Sequence, residues 1–322
     1  MVSDMKMIAF GPVPSRRLGH SMGINNIPPK ICTYSCVYCQ VGKTLNMQVE
    51  RKVFYKPEEI VQSVERKVRE AKERGEPVDY LTFVPDGEPT LDINLGKEIE
   101  LLKTSGIKIA VITNSSLIWK EDVRNELGRA DWISLKIDAV TEDSWRKINR
   151  PHRYLKQDEI LRGILEFSRT FEGELTTETM LNKDFNDNLE EIEKISSFIA
   201  KINPNKSYIA IPTRPPAEKS SKPPVEQAIN MAFQVFKEKS IHTEYLIGYE
   251  GNAFAFTGNV EDDLLSITSV HPMREDGVNR LLVKAKSGWN VIEKLMHEGK
   301  LTEVEYKNKK FYIRKLPDAK KK

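Results

Sequence analysis

With 322 residues, 30% of them charged and 39% hydrophobic, the chain can bury one sizeable core with a smaller unit beside it, and no apolar run is long enough to span a bilayer. Its only three cysteines fall within eight residues, which excludes a disulfide framework and suits a reducing, cytoplasmic setting. The net charge of +3 is unevenly placed: residues 281–322 hold twelve Lys or Arg against five Asp or Glu, a net of +7, which suits a polyanionic partner as well as plain solvation.

In chain order, residues 1–10 lack the apolar core of a secretory signal, so export is not expected. A first strand falls near residues 22–25, just before the cysteines. Pro57, Glu58 and Glu59 open a helix whose Ile60, Val61, Val64 and Val68 recur at helical spacing, and Gly75 and Pro77 close it. Strand-like runs follow at 80–84, 107–112, 132–137, 175–181 and 208–211, and helical patterns near 99–102, 123–127, 160–167 and 189–202 separate them. Strands so separated run parallel through right-handed crossovers, because antiparallel neighbours need only short turns. Six are fewer than the eight of a closed barrel. The expected fold is therefore α/β: a partial, open (β/α)6 barrel over residues 1–215, with its chemistry on the loops after the strands.

Pro212-Thr213-Arg214-Pro215-Pro216 breaks regular structure, and residues 216–258 are expected to form a linker with an additional helix, near 225–239, and strand. Helices near 264–269, 277–285 and 289–297, the last ended by Gly299, precede two strands at 301–306 and 311–314 around the turn Lys307-Asn308-Lys309-Lys310. Residues 259–322 are expected to be a small, basic, winged-helix-like domain.

The chemistry concentrates in Cys32-Thr33-Tyr34-Ser35-Cys36-Val37-Tyr38-Cys39. Three thiolates on a short loop can hold three irons of a cubane cluster and leave the fourth iron open to a ligand. Structural zinc is the alternative, but it needs a fourth protein ligand, and none of the five histidines lies near the cysteines in sequence.

This spacing, with aromatic Tyr38 just before the last cysteine, resembles the radical S-adenosylmethionine (SAM) superfamily over the first two-thirds of the chain. The resemblance implies a 4Fe-4S cluster on Cys32, Cys36 and Cys39. It also implies S-adenosylmethionine as cofactor, cleaved by one electron to methionine and a 5′-deoxyadenosyl radical. Asp86-Gly87-Glu88-Pro89 is similar to the family's glycine-glycine-glutamate-proline turn, with Asp86 where the first glycine stands. That likeness assigns Gly87, Glu88 and Pro89, together with Tyr38, to the cofactor, with the Glu88 carboxylate meeting the methionine ammonium. Asn114, Ser134, Lys136 and Asp138 fall where the family places polar groups for the ribose hydroxyls or the methionine carboxylate. Ser134, Lys136 and Asp138 share one strand face, and a ligand-free Lys136–Asp138 ion pair is the competing reading. Thr177 and Glu178 are further candidates on the fifth strand.

Gly11-Pro12-Val13-Pro14-Ser15-Arg16-Arg17-Leu18-Gly19, Asn149-Arg150-Pro151-His152-Arg153 and the segment at 212–218 look like those of iron–sulfur oxidoreductases related to the enzymes that build the wyosine base of transfer RNA. Those enzymes carry further cysteines for a second cluster, which this chain lacks, so their particular reaction is not implied. Arg16, Arg17, Arg150, Arg153 and Arg214 are candidates for an anionic substrate pocket, at least one of them expected to be structural. Three functions follow. One is a radical enzyme acting on RNA, with the basic tail gripping phosphates. Another acts on a protein, peptide or small metabolite, with the tail as lid or docking module. The third is a redox sensor whose tail binds DNA. An external electron donor of flavodoxin or ferredoxin type is expected for an enzyme; no membrane partner is.

Overall fold

In the computed structural model, which describes residues 8–248 and 254–315, an antiparallel hairpin of β1 (Ala9–Ser15) and β2 (Gly19–Ile24) comes first. The cysteine loop holds the short pair β3 (Ile31–Cys32) and β4 (Asn46–Met47). Helices and strands then alternate: α1 (Pro57–Glu73), β5 (Tyr80–Phe83), α2 (Leu95–Lys103), β6 (Lys108–Thr113), α3 (Glu121–Leu127), β7 (Trp132–Lys136), α4 (Glu142–Asn149), α5 (Gln157–Thr170), β8 (Glu174–Met180), α6 (Leu189–Ile202), β9 (Lys206–Ala210), α7 (Glu226–Glu238) and β10 (Thr243–Leu246). Last come α8 (Val260–Val270), β11 (Met273–Arg274), α9 (Glu275–Lys284), α10 (Asn290–His297), β12 (Leu301–Tyr306) and β13 (Lys309–Arg314). Residues 1–7, where no export signal was expected, and Lys320, Lys321 and Lys322 of the basic tail lie outside the described residues. No helix among the described residues is long and apolar enough to cross a membrane.

The large sheet runs β1-β2-β5-β6-β7-β8-β9-β10 and curls into a half-barrel. From β2 to β10 every neighbour is parallel, so seven parallel strands stand where the sequence predicts six. The seventh, β10, comes from the expected linker: its four residues Thr-Glu-Tyr-Leu sit half-buried at the sheet edge and carry little apolar signal. The antiparallel β1 was hidden by its two prolines, which an edge strand tolerates.

Alternation along the strands divides the side chains. Ile109, Val111, Ile133, Leu135 and Ile209 face the helix layer, whereas Ala110, Trp132, Tyr208, Ala210 and Leu246 form a separate cluster inside the curl. Leu18, just ahead of β2, joins that inner cluster, so the turn between β1 and β2 plugs the end of the barrel where the parallel strands begin. The C-terminal helices and the three-stranded sheet β11-β13-β12 enclose their own core of Leu264, Ile267, Val278, Leu281, Ile292 and Tyr312. Phe10 and Val13 of β1 belong to that core, which fixes the C-terminal unit against the barrel.

The loop after β5 is where the cysteine loop docks. Lys30 N–H donates to the Asp86 carbonyl (2.7 Å), and Glu88 N–H donates to the Ile31 carbonyl (3.2 Å). The two backbones approach so closely that a Cβ on Gly87 would lie 1.9 Å from the Ile31 carbonyl oxygen. Arg51 braces the turn's far side, donating to the carbonyls of Thr90 (2.8 Å) and Asp92 (2.9 Å). Beneath it lie Asp92 and Glu98, both without exposure. Burial, and then the charge of Asp92, pushes the Glu98 carboxyl far above the usual carboxylate range.

Two outcomes follow. Gly87→Ala should force the two backbones apart and cost about 1–3 kcal/mol or more, read as a lower urea midpoint. Glu98 keeps its proton in the folded chain and loses it in the unfolded one, so the folded form binds more protons and stability falls as pH rises from the ordinary glutamate range past neutral. Glu98→Gln should flatten that decline, matching the wild type below pH ~4 and exceeding it by about 1–2 kcal/mol at pH ~8 in urea titrations.

Candidate active site

A cavity of about 270 Å³ opens inside the curl, and Cys32, Cys36 and Cys39 all line it, with Asp86 and Gly87, Tyr38, Lys136 and Glu178. Lining residues also come from the segments after β9 and β10, as parallel strands require when they deliver their carboxyl ends to one side. No histidine lines it, and among the described residues no three His, Cys, Asp or Glu side chains gather so as to hold a single metal ion.

Burial and then the Glu88 charge push the Cys32 thiol well above its usual value; burial and then the Asp138 charge push Cys36 up to about 12; burial and then the Asp86 charge raise Cys39. These thiols hold their protons until cations arrive, as a cluster's irons would provide. Each sulfur also has a nearby N–H: Tyr34 backbone and Asn114 side chain at Cys32, Asn149 side chain at Cys36, Val41 backbone at Cys39.

In the Asp86–Pro89 turn, the two carboxylates behave differently. Glu88 is 1% exposed, and its Oε1 accepts from Thr90 N–H (3.1 Å), Thr90 Oγ1 (2.6 Å) and Thr113 Oγ1 (2.6 Å), while its Oε2 accepts from Asn114 N–H (2.7 Å). Glu88 thus ties the turn to the end of β6 and does not line the cavity. Asp86 does line it, equally buried, and its Oδ2 has no hydrogen-bond donor, although Lys30 Nζ stands 3.5 Å away. Burial, opposed by Lys30, pushes the Asp86 carboxyl up to about 6. Pro89 is buried at the start of a single 3-10 turn, and its carbonyl accepts from Asn26 (3.1 Å).

On β7 and β8 the Lys136–Asp138 ion pair of the competing reading does not form. Lys136 Nζ pairs with Glu178 Oε1 (2.8 Å) and lies 4.9 Å from the Tyr38 ring centroid. Burial alone would lower the Lys136 ammonium, but the charges of Glu178 and Asp138 outweigh it and hold it above its usual value. Arg17 reaches from the barrel plug to the other Glu178 oxygen. Asp138 instead accepts from Tyr38 Oη, from Asn149 Nδ2 (2.8 Å) and, at Oδ1, from Met180 N–H (2.9 Å). Ser134 is fully buried and its Oγ has no hydrogen-bond partner; Thr177 bonds to Ser207 (2.8 Å). Neither lines the cavity, nor does Asn114, whose side chain turns to the cysteine loop.

The five candidate arginines separate. Arg16, Arg17 and Arg214 line the cavity. Arg150 pairs with Glu218 (2.7 Å), and Arg153 lies 4.8 Å from the Tyr154 ring centroid; neither lines the cavity. Sequence reasoning overlooked Asn149, which sits in the same segment as Arg150 but faces inward. It also overlooked Gln40, which accepts from Arg214 Nη1 (2.7 Å) and donates to the Val270 carbonyl (3.2 Å), joining the cysteine loop to the C-terminal unit. Its position directly after Cys39 is the one signal that could have marked it.

Residues 26–199 match the family described as the Radical SAM superfamily. A UPF0026 protein of Methanocaldococcus jannaschii is 51% identical over 311 residues, covering 96% of each chain. Among solved structures, a radical SAM methyltransferase from Sphaerobacter thermophilus aligns with TM-score 0.54 at 15% identity, over 70% of this chain and 66% of that one. A TYW1 structure with a lysine–pyruvate adduct bound aligns with TM-score 0.52 at 17% identity, over 69% of this chain and 75% of that one. At such identities these two share the fold. Enzymes of the matched superfamily use a 4Fe-4S cluster and S-adenosylmethionine, and the three thiols that line this cavity are ligands of the kind such a cluster takes. The chain belongs to the radical SAM superfamily.

Proposed function

We propose that this protein is a radical SAM enzyme that holds its 4Fe-4S cluster on Cys32, Cys36 and Cys39, binds S-adenosylmethionine against the Asp86–Gly87 turn, and acts on RNA. One observation carries the first two parts: all three cysteines and that turn line a single cavity at the carboxyl ends of a curled parallel sheet. Held there by Cys32, Cys36 and Cys39 and by the Asp86–Gly87 turn, cluster and S-adenosylmethionine would supply radical chemistry, given an electron from a donor of flavodoxin or ferredoxin type.

The chain's own residues position the cofactor. Glu88 is saturated by its own fold, so the carboxylate that receives the methionine ammonium is Asp86, with the Gly87 backbone beside it. Lys136, held charged, is suited to the methionine carboxylate, and the Tyr38 ring below it to the organic part of the cofactor.

RNA is favoured by charge and by the C-terminal unit. Arg16, Arg17, Lys30, Lys136 and Arg214 line the cavity against Asp86 and Glu178. The order α8-β11-α9-α10-β12-β13, with strands arranged β11-β13-β12, supports the winged-helix-like reading. Its hairpin turn exposes Lys307, Lys309 and Lys310, and Tyr306 Oη donates to the carbonyl of Pro212 on the cavity rim (3.1 Å). A phosphate backbone lying over the hairpin would lead one nucleotide toward the cavity.

The decisive assay reconstitutes the protein with iron and sulfide under anaerobic conditions, adds S-adenosylmethionine and a strong reductant, and measures 5′-deoxyadenosine. The wild type should form it and Cys36→Ala should not. RNA should stimulate turnover, less so as salt rises, and a Lys307→Ala, Lys309→Ala double variant should lose that stimulation. No product from a fully loaded cluster would favour the redox sensor; stimulation by peptides and not by RNA would move the substrate to that class. Asp86→Asn should weaken S-adenosylmethionine binding by about tenfold, the worth of one charge-assisted bond, in equilibrium titrations of the loaded protein. Wild-type affinity should fall as pH drops through about 6, where Asp86 takes up its proton.

A further inference from the structure

Two carboxamides, on residues from separate parts of the chain, reach two of the three thiols. Asn149 Nδ2 lies 3.5 Å from Cys36 Sγ and 2.8 Å from Asp138 Oδ2. Asn114 Nδ2 lies 3.4 Å from Cys32 Sγ and 2.8 Å from Thr33 Oγ1.

The surroundings decide which end of each amide faces sulfur. Asp138 Oδ2 is a carboxylate oxygen that can only accept, and it already accepts a hydrogen bond from the Tyr38 hydroxyl. The end of Asn149 facing it is therefore the NH2 group, whose second N–H is left for Cys36. Asp138 is fixed in turn by Met180 N–H at its other oxygen (2.9 Å). On Asn114, the backbone N–H of Ser116 donates to Oδ1 (2.9 Å), which commits that end to acceptance and turns the NH2 group to Cys32 and Thr33. Neither asparagine lines the cavity that the three cysteines share, so both donate to the cysteine loop from outside it.

We propose that Asn149 and Asn114 are positioning residues that set the reduction potential of the cluster by N–H···S hydrogen bonds to Cys36 and Cys32. The inference rests on the reading that these cysteines hold a 4Fe-4S cluster. Reduction adds one electron, whose charge spreads onto the sulfur ligands. Donors aimed at those sulfurs stabilise the reduced form more than the oxidised one, and so raise the potential. The electron comes from the external donor and no atom is transferred. The pairing also accounts for a buried asparagine at the end of α4, in a segment whose two arginines lie outside the cavity.

The test is an EPR-monitored redox titration of the reconstituted protein, after iron and sulfide have been quantified. Asn149→Leu and Asn114→Leu keep similar bulk without an N–H. Each should move the midpoint to more negative potential, lowering the reduced-to-oxidised ratio at fixed potential about tenfold, or about 59 mV for a one-electron couple. Trp145→Phe serves as control: Trp145 touches the same loop through its bond to Tyr34 Oη (3.1 Å) but contacts no sulfur, and its loss should leave the midpoint in place. Leucine variants that load fully and titrate at the wild-type potential overturn the proposal, as does an equal shift in Trp145→Phe. Should Asn149→Leu fail to fold, Asn114→Leu decides alone. A wild type that takes up no cluster sinks this inference together with the cluster reading, whereas an intact cluster indifferent to both amides sinks this inference alone.

Discussion

The site depends on the backbone pairing between the cysteine loop and the turn after β5. Two hydrogen bonds, Lys30 N–H to the Asp86 carbonyl and Glu88 N–H to the Ile31 carbonyl, set the loop directly on the sheet's carboxyl end. The loop carrying three thiols has only the two-residue pair β3 and β4 to hold it, and backbone groups buried in such a place must find partners. Gly87 lets the two backbones approach, Glu88 locks the turn to the end of β6 through Thr113 and Asn114 while two bonds from Thr90 hold it within the turn, and Arg51 grips the carbonyls behind it. Glu88 therefore matters to the cysteines through structure, while the neighbouring Asp86 presents the carboxylate to the cavity.

The barrel's interior is apolar at one end and charged at the other, and a single segment contributes to both. Leu18 plugs the curl among Trp132, Tyr208 and Leu246, while Arg17, one residue earlier, reaches Glu178 in the cavity wall. Two cations share that one carboxylate, since Lys136 takes its other oxygen. Removing Glu178 would leave two partly buried positive charges without it, which makes it the electrostatic hinge of this wall.

The C-terminal unit is joined to the walls of the cavity at several points. Phe10 and Val13 of β1 pack in its core, Gln40 bonds to Val270 and Arg214, and Arg214 Nη2 lies 3.0 Å from His271 Nε2. An arginine only donates, so His271 Nε2 must be the unprotonated, accepting nitrogen. With Tyr306 on Pro212, the unit forms part of the cavity's rim.

The sequence by itself determined the alternation of helices and strands, the parallel sheet and the cysteine loop, because hydrophobic periodicity and ligand spacing are local properties. It also marked the turn at Gly87, where a close approach admits no side chain. It did not show β1, and it expected a strand in residues 216–258 without joining it to the barrel sheet, where β10 pairs with β9. Nor could it tell that Lys136 would turn to Glu178 and leave Asp138 to Tyr38 and Asn149, since those partners lie 42, 100 and 11 residues away respectively. Tertiary structure alone decided which of five arginines enter the cavity and which two asparagines stand behind the thiols. Side-chain direction at a strand end or a helix end is set by what packs there, and residue type and spacing do not encode that.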